Sequence, residues 1–314
     1  MKPLKKRLIR LLLLTLGFVT LAVIAMAVQY RVNVTPRPAH GVLEQITHVS
    51  RHGDVTLSFH AGAGAGPKDQ TPVLILMPSL GRPASDFNEL AAALNHAGYA
   101  TYALEPRGMM DDGGLVTDDI TLFDLADDVA ALIDHLQETD RLAGKDVVLL
   151  GHAFGNRVAR AAATKYPDKV EKVILLAAGG KAPLRPAAEK ALIQSFWIFL
   201  PDSWRRPRVK YAFFADDNTV PAYWMTGWSI PASLTQASAT ASTPFDQWRA
   251  AGGKPLFIIQ GAADRLAPPA TSGDVLKRHL PEQVTLVTLE NAGHALLPEQ
   301  PALIEAAVLS VLGQ

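Results

Sequence analysis

Short apolar segments alternate with helical segments through most of this 314-residue chain, and this alternation is the feature that most constrains its fold. Short runs that are almost entirely apolar are typical of strands buried on both faces of a sheet. Such runs occur at 73–77, 99–104, 146–150, 170–177, 255–260 and 284–289, and a hairpin is predicted ahead of them around Gly53-Asp54. Helical patterns lie between the runs. The sequence therefore predicts an α/β fold with a mostly parallel central sheet that is flanked by helices on both faces.

Residues 181–252 interrupt this alternation, because they contain no convincing strand pattern. They hold every tryptophan of the chain: Trp197, Trp204, Trp224, Trp228 and Trp248. An insertion between two sheet strands predicts a helical cap over the open edge of the sheet, with the core at 45–180 and 253–314. The aromatic side chains either attach this cap to the core or form an apolar substrate pocket. For the second role the candidates are Trp197, Trp224 and Trp228.

The first 30 residues form a separate segment that is expected to direct export. Five basic residues lie among the first ten, and the 18 residues at 11–28 carry no charge. A helix over 8–28 would match a hydrocarbon core of about 30 Å, and the positive-inside rule keeps its basic end in the cytoplasm. The segment is either an uncleaved anchor that leaves a periplasmic or other extracytoplasmic body, or a signal cleaved after 25–27, or a buried core helix. Residues 31–44 contain two prolines and are expected to form a linker.

Charge and cysteine content exclude several classes of function. Basic and acidic residues each number 30, but five of the positive charges lie in the first ten residues, which contain no acid. The remaining body has 25 positive and 30 negative charges, a net charge of −5, which disfavours binding of nucleic acid. The absence of cysteine excludes disulfides and thiolate catalysis. No metal-binding or nucleotide-binding motif occurs, so we expect no metal ion and no cofactor. Nothing in the sequence indicates the oligomeric state.

The segment Gly151-His152-Ala153-Phe154-Gly155 follows a predicted strand and precedes a predicted helix. The pattern G-x-S-x-G at such a turn is a nucleophile elbow, in which the glycines permit a sharp turn that exposes the central side chain. In this chain the central residue is Ala153, whose methyl group cannot attack a carbonyl carbon. The backbone pattern of the elbow is therefore present without its nucleophile.

The other parts of a catalytic triad follow in the chain. Asp264 comes directly after the predicted strand 255–260, and His294 follows the last predicted strand. The order of elbow, acid and histidine is the order that α/β-hydrolases use. Over about residues 45–314 the sequence resembles the α/β-hydrolase superfamily, and the segment GHAFGNRVAR resembles a subgroup that carries alanine at the elbow.

This resemblance implies roles for main-chain groups beside the elbow. In the superfamily, the loop after the first parallel strand contributes to an oxyanion hole, and here that loop is Pro78-Ser79-Leu80-Gly81-Arg82. The implied donors are the backbone N–H groups of Leu80 and Phe154. Ser79 could act as a displaced nucleophile or serve only as a turn hydroxyl.

Three functions remain open on these residues. The first is a hydrolase of an apolar or amphipathic small ester-like molecule, in which the His294–Asp264 dyad activates water or another nucleophile. The second is a lyase or other cofactor-free enzyme that uses His294 as a base. The third is a pseudoenzyme that binds a small-molecule ligand without catalysis. A retained dyad favours chemistry, whereas Ala153 disfavours ordinary ester hydrolysis, since losing a triad serine costs about 10⁶-fold in kcat.

Overall fold

In the computed structural model, residues 2–64, 71–110 and 119–313 are described. The strands are β1 (Val42–Ser50), β2 (Gly53–Gly62), β3 (Val73–Met77), β4 (Thr101–Leu104), β5 (Val147–His152), β6 (Lys172–Leu176), β7 (Leu256–Gly261) and β8 (Val284–Leu289). The α-helices are α1 (Lys2–Val34), α2 (Asn88–His96), α3 (Leu122–Glu138), α4 (Gly155–Lys165), α5 (Pro186–Ser195), α6 (Asp202–Phe213), α7 (Ile230–Ala241), α8 (Gly273–His279) and α9 (Pro301–Leu312).

These strands form one mixed sheet in the order β1-β2-β4-β3-β5-β6-β7-β8. The hairpin β1–β2 and the pair β2–β4 are antiparallel, and all other pairs are parallel. The predicted α/β fold, with its mostly parallel sheet and its N-terminal hairpin, is confirmed. Because β3 lies between β4 and β5, the chain leaves β3 and β5 in opposite directions, and ligand sites of α/β sheets form in the crevice at such a point.

Helices cover both faces of the sheet, as the apolar strands require. On one face, α3, α4 and α8 contribute buried residues that include Val129, Leu132, Ala162 and Leu276. On the other face, α2 and α9 contribute Leu90, Leu94, Ile304 and Val308. Helix α3 begins with a capping box in which Thr121 and Asp124 satisfy each other's backbone N–H groups. The central strands β3 to β6 are therefore buried on both sides, whereas the edge strands β1 and β8 keep exposed side chains.

The segment predicted as a linker at 31–44 is more ordered than expected. Helix α1 continues to Val34, and β1 begins at Val42. The Asn33 side chain donates to the carbonyl of Ile198, and the Asn33 carbonyl accepts from the N–H of Trp228. Arg37 forms a bidentate pair with Glu89. Contacts with distant residues, rather than a local helical pattern, hold the segment, and its role as a linker stays a prediction.

One described helix is long and apolar enough to cross a membrane by length and composition. It covers Leu12–Val34, and its most apolar 18-residue window has a mean hydropathy of 2.3 and contains no residue buried against the rest of the described chain. Its exposure argues against the core-helix interpretation, because core helices are mostly buried. An anchor and a cleavable signal both fit this helix.

Between β6 and β7, residues 181–252 carry α5, α6 and α7, and this stretch contains no strand. We call this stretch the insertion. A buried aromatic cluster attaches it to the core, with Phe213, Trp224 and Trp228 packed around one another at centroid distances of 5.2–6.1 Å. The helical content of the insertion was expected, and its role as a cap stays a prediction.

Arg82, from the loop after β3, enters this aromatic cluster and ties the insertion to the core. Its guanidinium carbon lies 4.6 Å and 4.9 Å from the ring centroids of Trp224 and Trp228. Its Nη2 and Nε donate to the two carboxylate oxygens of Asp86 at 2.7 Å and 2.9 Å, and Nη1 donates to the carbonyl of Thr226 at 2.7 Å. Arg82 and Asp86 are both buried. This ion pair is therefore shielded from solvent, and removing either partner would leave the other charge buried without compensation.

Arg82→Leu is expected to destabilise the protein by about 3–5 kcal/mol, because it leaves the Asp86 carboxylate buried without a counterion. Thermal unfolding of the full chain measures this loss. The double variant Arg82→Leu/Asp86→Leu should recover a large part of it, since no buried charge remains. The control is Arg278→Leu, which removes an exposed arginine of α8. An Arg82→Leu midpoint equal to that of the control would contradict the prediction.

Candidate active site

Ala153 follows β5 in a backbone conformation that is unusual for a residue with a side chain. Its φ angle is +49°, in the left-handed region. The Ala153 N–H donates to the carbonyl of Leu176 at 2.8 Å, and the Ala153 carbonyl accepts from the N–H of Asn156. A non-glycine residue held there costs about 1–2 kcal/mol and marks a turn that the surroundings impose. This is the strained strand-to-helix turn of a nucleophile elbow.

Both glycines of the elbow are required by close backbone contacts. A Cβ on Gly155 would lie 2.0 Å from the carbonyl oxygen of Met77, at the end of β3. A Cβ on Gly151 would lie 2.4 Å from the backbone of Gly155. Helix α4 therefore starts directly against the end of β3, and this brings Ala153 beside the loop that contains Leu80.

His294 and Asp264 are hydrogen-bonded to each other. The Nδ1 of His294 lies 2.8 Å and 3.0 Å from the two carboxylate oxygens of Asp264. The same carboxylate accepts from the backbone N–H groups of Leu266 and Ala267 and from the side chain of Gln260. Because the carboxylate can only accept, Nδ1 of the neutral imidazole carries the proton, and its Nε2 lone pair is free to act as a base.

A cavity of about 620 Å³ brings the predicted residues together. Its floor includes Ala153, His294, Leu80, Phe154 and Ser79, which come from the ends of β3 and β5 and from the loop after β8. The insertion contributes Leu184, Leu192, Phe213, Ala237 and Thr240. Loops from distant parts of the sequence meet here because the parallel strands end at one edge of the sheet.

The predicted oxyanion donors lie at this cavity. Neither the Leu80 N–H nor the Phe154 N–H has a hydrogen-bond partner within the described ranges. The next N–H of the loop, that of Gly81, donates to the side chain of Gln236 on α7 at 2.7 Å, and the Gly81 carbonyl accepts from the N–H of Ser229. The insertion thus holds the loop on both sides of Gly81. Sequence reasoning missed Gln236, because a polar residue 155 positions away along the chain carries no local signal.

The predicted contacts of three tryptophans with a ligand are not supported by their positions. Of the described residues, those lining the cavity do not include Trp197, Trp224 or Trp228. Trp224 and Trp228 are 1% and 0% exposed and pack against Arg82, while Trp197 is 37% exposed. The two buried rings attach the insertion to the core, which was the other role considered for them.

Ser79 is buried at the same cavity, where its carbonyl accepts from the N–H of Arg82 in a turn. The Ser79 hydroxyl has no hydrogen-bond partner in the described part of the chain. Its position therefore keeps both interpretations of this serine open, as a turn residue and as a displaced nucleophile.

His152 supports His294 from behind and was not assigned to the site from the sequence. Its Nε2 lies 2.8 Å from the carbonyl oxygen of His294, and the two rings are 5.9 Å apart. A carbonyl only accepts, so Nε2 of His152 donates. Complete burial, together with His294, lowers the pKa of His152 from 6.5 to about 4. His152 is therefore a neutral donor that holds the loop carrying the base.

Stability should fall as the pH falls from 6.5 towards 4. In this range the unfolded chain binds a proton at residue 152, whereas the folded chain, with its pKa near 4, does not. The expected loss is about 2 kcal/mol between about pH 7 and about pH 5. His152→Gln keeps an N–H donor but does not titrate, so its unfolding midpoint should decline less over this range. Equal declines in the two proteins would contradict the assignment.

The sheet order, the elbow turn after β5 and the acid–histidine pair after β7 and β8 define an α/β-hydrolase fold. The family model described as serine aminopeptidase, S33, matches residues 68–301, so the chain belongs to this family of α/β-hydrolases.

Three individual relatives share between 17% and 24% of their residues with this chain. The chain is 24% identical over 274 residues to a monoacylglycerol lipase of Mycolicibacterium smegmatis, covering 80% of this chain and 95% of the lipase. A hydrolase from Pseudomonas aeruginosa superposes with a TM-score of 0.67 at 22% identity, covering 88% of this chain and 100% of that chain. A bacterial membrane phospholipase A superposes with a TM-score of 0.61 at 17% identity, and the superposition covers 100% of this chain and 98% of the phospholipase chain. These two structures share the fold of this chain.

Proposed function

We propose that this protein is a hydrolase of a small amphipathic ester in which His294 activates water directly. The observation that carries the proposal is the dyad, because Asp264 holds the Nδ1 of His294 and leaves Nε2 as a base at a cavity. Ala153 lines the same cavity with only a methyl group, where a serine hydroxyl would otherwise stand. A water molecule can take the place of that hydroxyl within reach of His294.

The proposed reaction needs no covalent intermediate. His294 Nε2 takes a proton from the water as its oxygen forms a bond to the ester carbonyl carbon. The N–H groups of Leu80 and Phe154 stabilise the negative charge that develops on the carbonyl oxygen. The tetrahedral adduct of water and ester is not bonded to the protein. When it collapses, the bond between the carbonyl carbon and the alcohol oxygen breaks, and His294 returns the proton to this leaving group. The products are a carboxylic acid and an alcohol, and Asp264 orients His294 throughout.

The lining of the cavity supports an amphipathic substrate. Apolar side chains such as Leu80, Phe154, Leu184 and Phe213 face it together with His294 and arginine side chains. The similarity to a monoacylglycerol lipase makes esters of glycerol a reasonable first class to screen. The family match extends over both the core and the insertion.

A non-catalytic ligand-binding protein is the second candidate, and Ala153 is the observation that favours it. A triad without serine loses about 10⁶-fold in kcat, so a natural alanine at this position is consistent with a protein that has stopped catalysing and kept its cavity. Base catalysis in a lyase or another cofactor-free reaction is a further alternative that uses the same His294. Ester hydrolysis that depends on His294 separates these possibilities.

Ala153→Ser is expected to create or strongly raise esterase activity, because the strained turn, the base and the oxyanion donors are already in place. The measurement is hydrolysis of a short p-nitrophenyl ester by the full chain and by this variant. Ala153→Ser/His294→Ala should be inactive, since it retains the new hydroxyl without its base.

The unaltered chain decides between the two candidate functions. Weak hydrolysis that is lost in His294→Ala and retained in Ser79→Ala supports direct water activation. Loss of activity in Ser79→Ala would instead identify Ser79 as the nucleophile. An inert unaltered chain, tested on a broad ester and lactone panel, would overturn the hydrolase proposal in favour of the ligand-binding protein.

We further propose that α1 anchors the chain in a membrane with the body exported. The basic residues that precede its apolar stretch support this orientation. A reporter enzyme that is active only outside the cytoplasm, fused after Gln314, should be active. Retention of the fusion in the membrane fraction would support an anchor, whereas release as a shorter soluble product would indicate a cleaved signal. Activity of a reporter that works only in the cytoplasm would refute export.

A further inference from the structure

The cavity beside Ala153 and His294 carries an unbalanced positive charge. Three arginines line it, Arg157, Arg185 and Arg265, and none of the described residues that line it is acidic. Asp264 lies behind His294, where hydrogen bonds from His294, Gln260 and two backbone N–H groups occupy its oxygens. A ligand in this cavity therefore meets cations and apolar side chains.

The three arginines differ in whether the protein already neutralises them. Arg265 pairs with Asp216 at 2.8 Å and donates to the carbonyls of Tyr211 and Phe214. Arg157, by contrast, forms no side-chain hydrogen bond or ion pair with any other described residue. Arg185 likewise has no ion pair in the described ranges, but it is exposed and hydrated. Among the described residues that line the cavity, Arg157 is thus the arginine that is only partly exposed to solvent and has no polar partner in the described part of the chain.

Arg157 lines the same cavity as Ala153 and His294. It lies in the first turn of α4, four residues after Ala153, and its Nη2 lies near Gly179 in the loop after β6, 3.7 Å from where a Cβ on Gly179 would be. Gly179 also lines the cavity. The guanidinium therefore lies at the edge of the sheet between the elbow and the insertion.

Arg160, which is fully buried beside the half-buried Arg157, increases the need for an anion at this place. Arg160, one turn further along α4, is buried and donates to the side chain of Asn156 and to the carbonyl of Gly179. Burial and the neighbouring Arg157 lower the pKa of Arg160 to about 9, and burial also lowers the pKa of Arg157. Two guanidinium groups thus lie near Gly179 with no carboxylate paired to either among the described residues, and an anionic ligand would supply the missing negative charge.

We propose that the cavity binds amphipathic molecules that bear a carboxylate or phosphate group, with Arg157 as the residue that recognises the anion. A guanidinium fork matches both groups, and its charge-assisted hydrogen bonds are strongest where water is excluded. The apolar side chains of the insertion then receive the hydrocarbon part. This inference names the substrate class of the proposed hydrolase and rests on that function only in using the same cavity, because anion binding itself needs no catalysis.

Binding of matched eight-carbon probes tests the proposal. Octanoate, octyl phosphate and octanol are titrated calorimetrically into the full chain in nanodiscs of zwitterionic lipid, with empty nanodiscs as the blank. At least one anion should bind about tenfold or more tightly than octanol. A preference for octanoate or for octyl phosphate distinguishes carboxylate from phosphate recognition. Octanol affinity equal to that of both anions would overturn the proposal.

Arg157→Gln should reduce the affinity for the preferred anion to that for octanol, while octanol binding stays unchanged. Arg278→Gln is the matched control, because it removes one exposed positive charge from α8 away from the cavity. Arg157→Lys should restore part of the preference. If Arg157→Gln does not fold, the salt dependence of the unaltered chain decides, since added KCl must weaken binding of the anion and leave octanol binding unchanged. Salt-independent anion binding, or a folded Arg157→Gln that keeps the preference, would refute the role of Arg157.

These outcomes separate the inference from the proposed function. A chain that prefers anionic amphipaths through Arg157 but hydrolyses no ester retains the inference and loses the hydrolase. A chain that hydrolyses neutral esters through His294 and binds octanol as tightly as octanoate retains the hydrolase and loses the inference.

Discussion

The close contact between the start of α4 and the end of β3 is the constraint on which the rest of the site depends. Gly155 allows the helix to meet the Met77 carbonyl at a distance that any side chain would prevent, and Gly151 allows the turn to close on itself. This contact accompanies the left-handed conformation of Ala153 and places Phe154 at the cavity. The strain of about 1–2 kcal/mol is retained although the residue at the turn carries no reactive group. The elbow backbone is therefore formed with alanine at the position that serine holds in the G-x-S-x-G pattern.

The insertion has two physical roles: it packs against the core, and it holds the loop beside the cavity. Its buried aromatic residues close around Arg82 and bind the insertion to the loop after β3. The insertion also contacts this loop through Gln236 and Ser229, which form hydrogen bonds with the backbone of Gly81. Gly81 is adjacent to the candidate oxyanion donor Leu80. Packing of the insertion and the geometry of the site are thus coupled, because one five-residue loop serves both. A substitution in the aromatic cluster would therefore alter the position of this loop at the cavity.

Charge is distributed unevenly around the base of the site. Behind His294, the Asp264 carboxylate is satisfied by several donors, and His152 is held neutral by burial. In front of His294, Arg157 faces the cavity without a counterion among the described residues. An anionic ligand would thus be attracted to the open side of the site and kept apart from the buried carboxylate. The same field would favour the negative charge that develops on a carbonyl oxygen during hydrolysis.

Local pattern was sufficient for the sheet and for most helix positions, because buried strands and amphipathic helices leave their periodicity in the sequence. The same pattern singled out Ala153, Asp264 and His294 as candidates through their places after predicted strands. The helical end of α1 was missed, since Asn33 is held by Ile198 and Trp228 rather than by its neighbours. The sequence left two roles open for the tryptophans, because composition does not show which neighbours an aromatic side chain packs against. The roles of Gln236, His152 and Arg157 depend on contacts that only the tertiary structure creates. By itself the sequence determined that this chain has the backbone of an α/β-hydrolase without its serine. The tertiary structure alone decided which side chains face the cavity, because strands distant in sequence end together at one edge of the sheet.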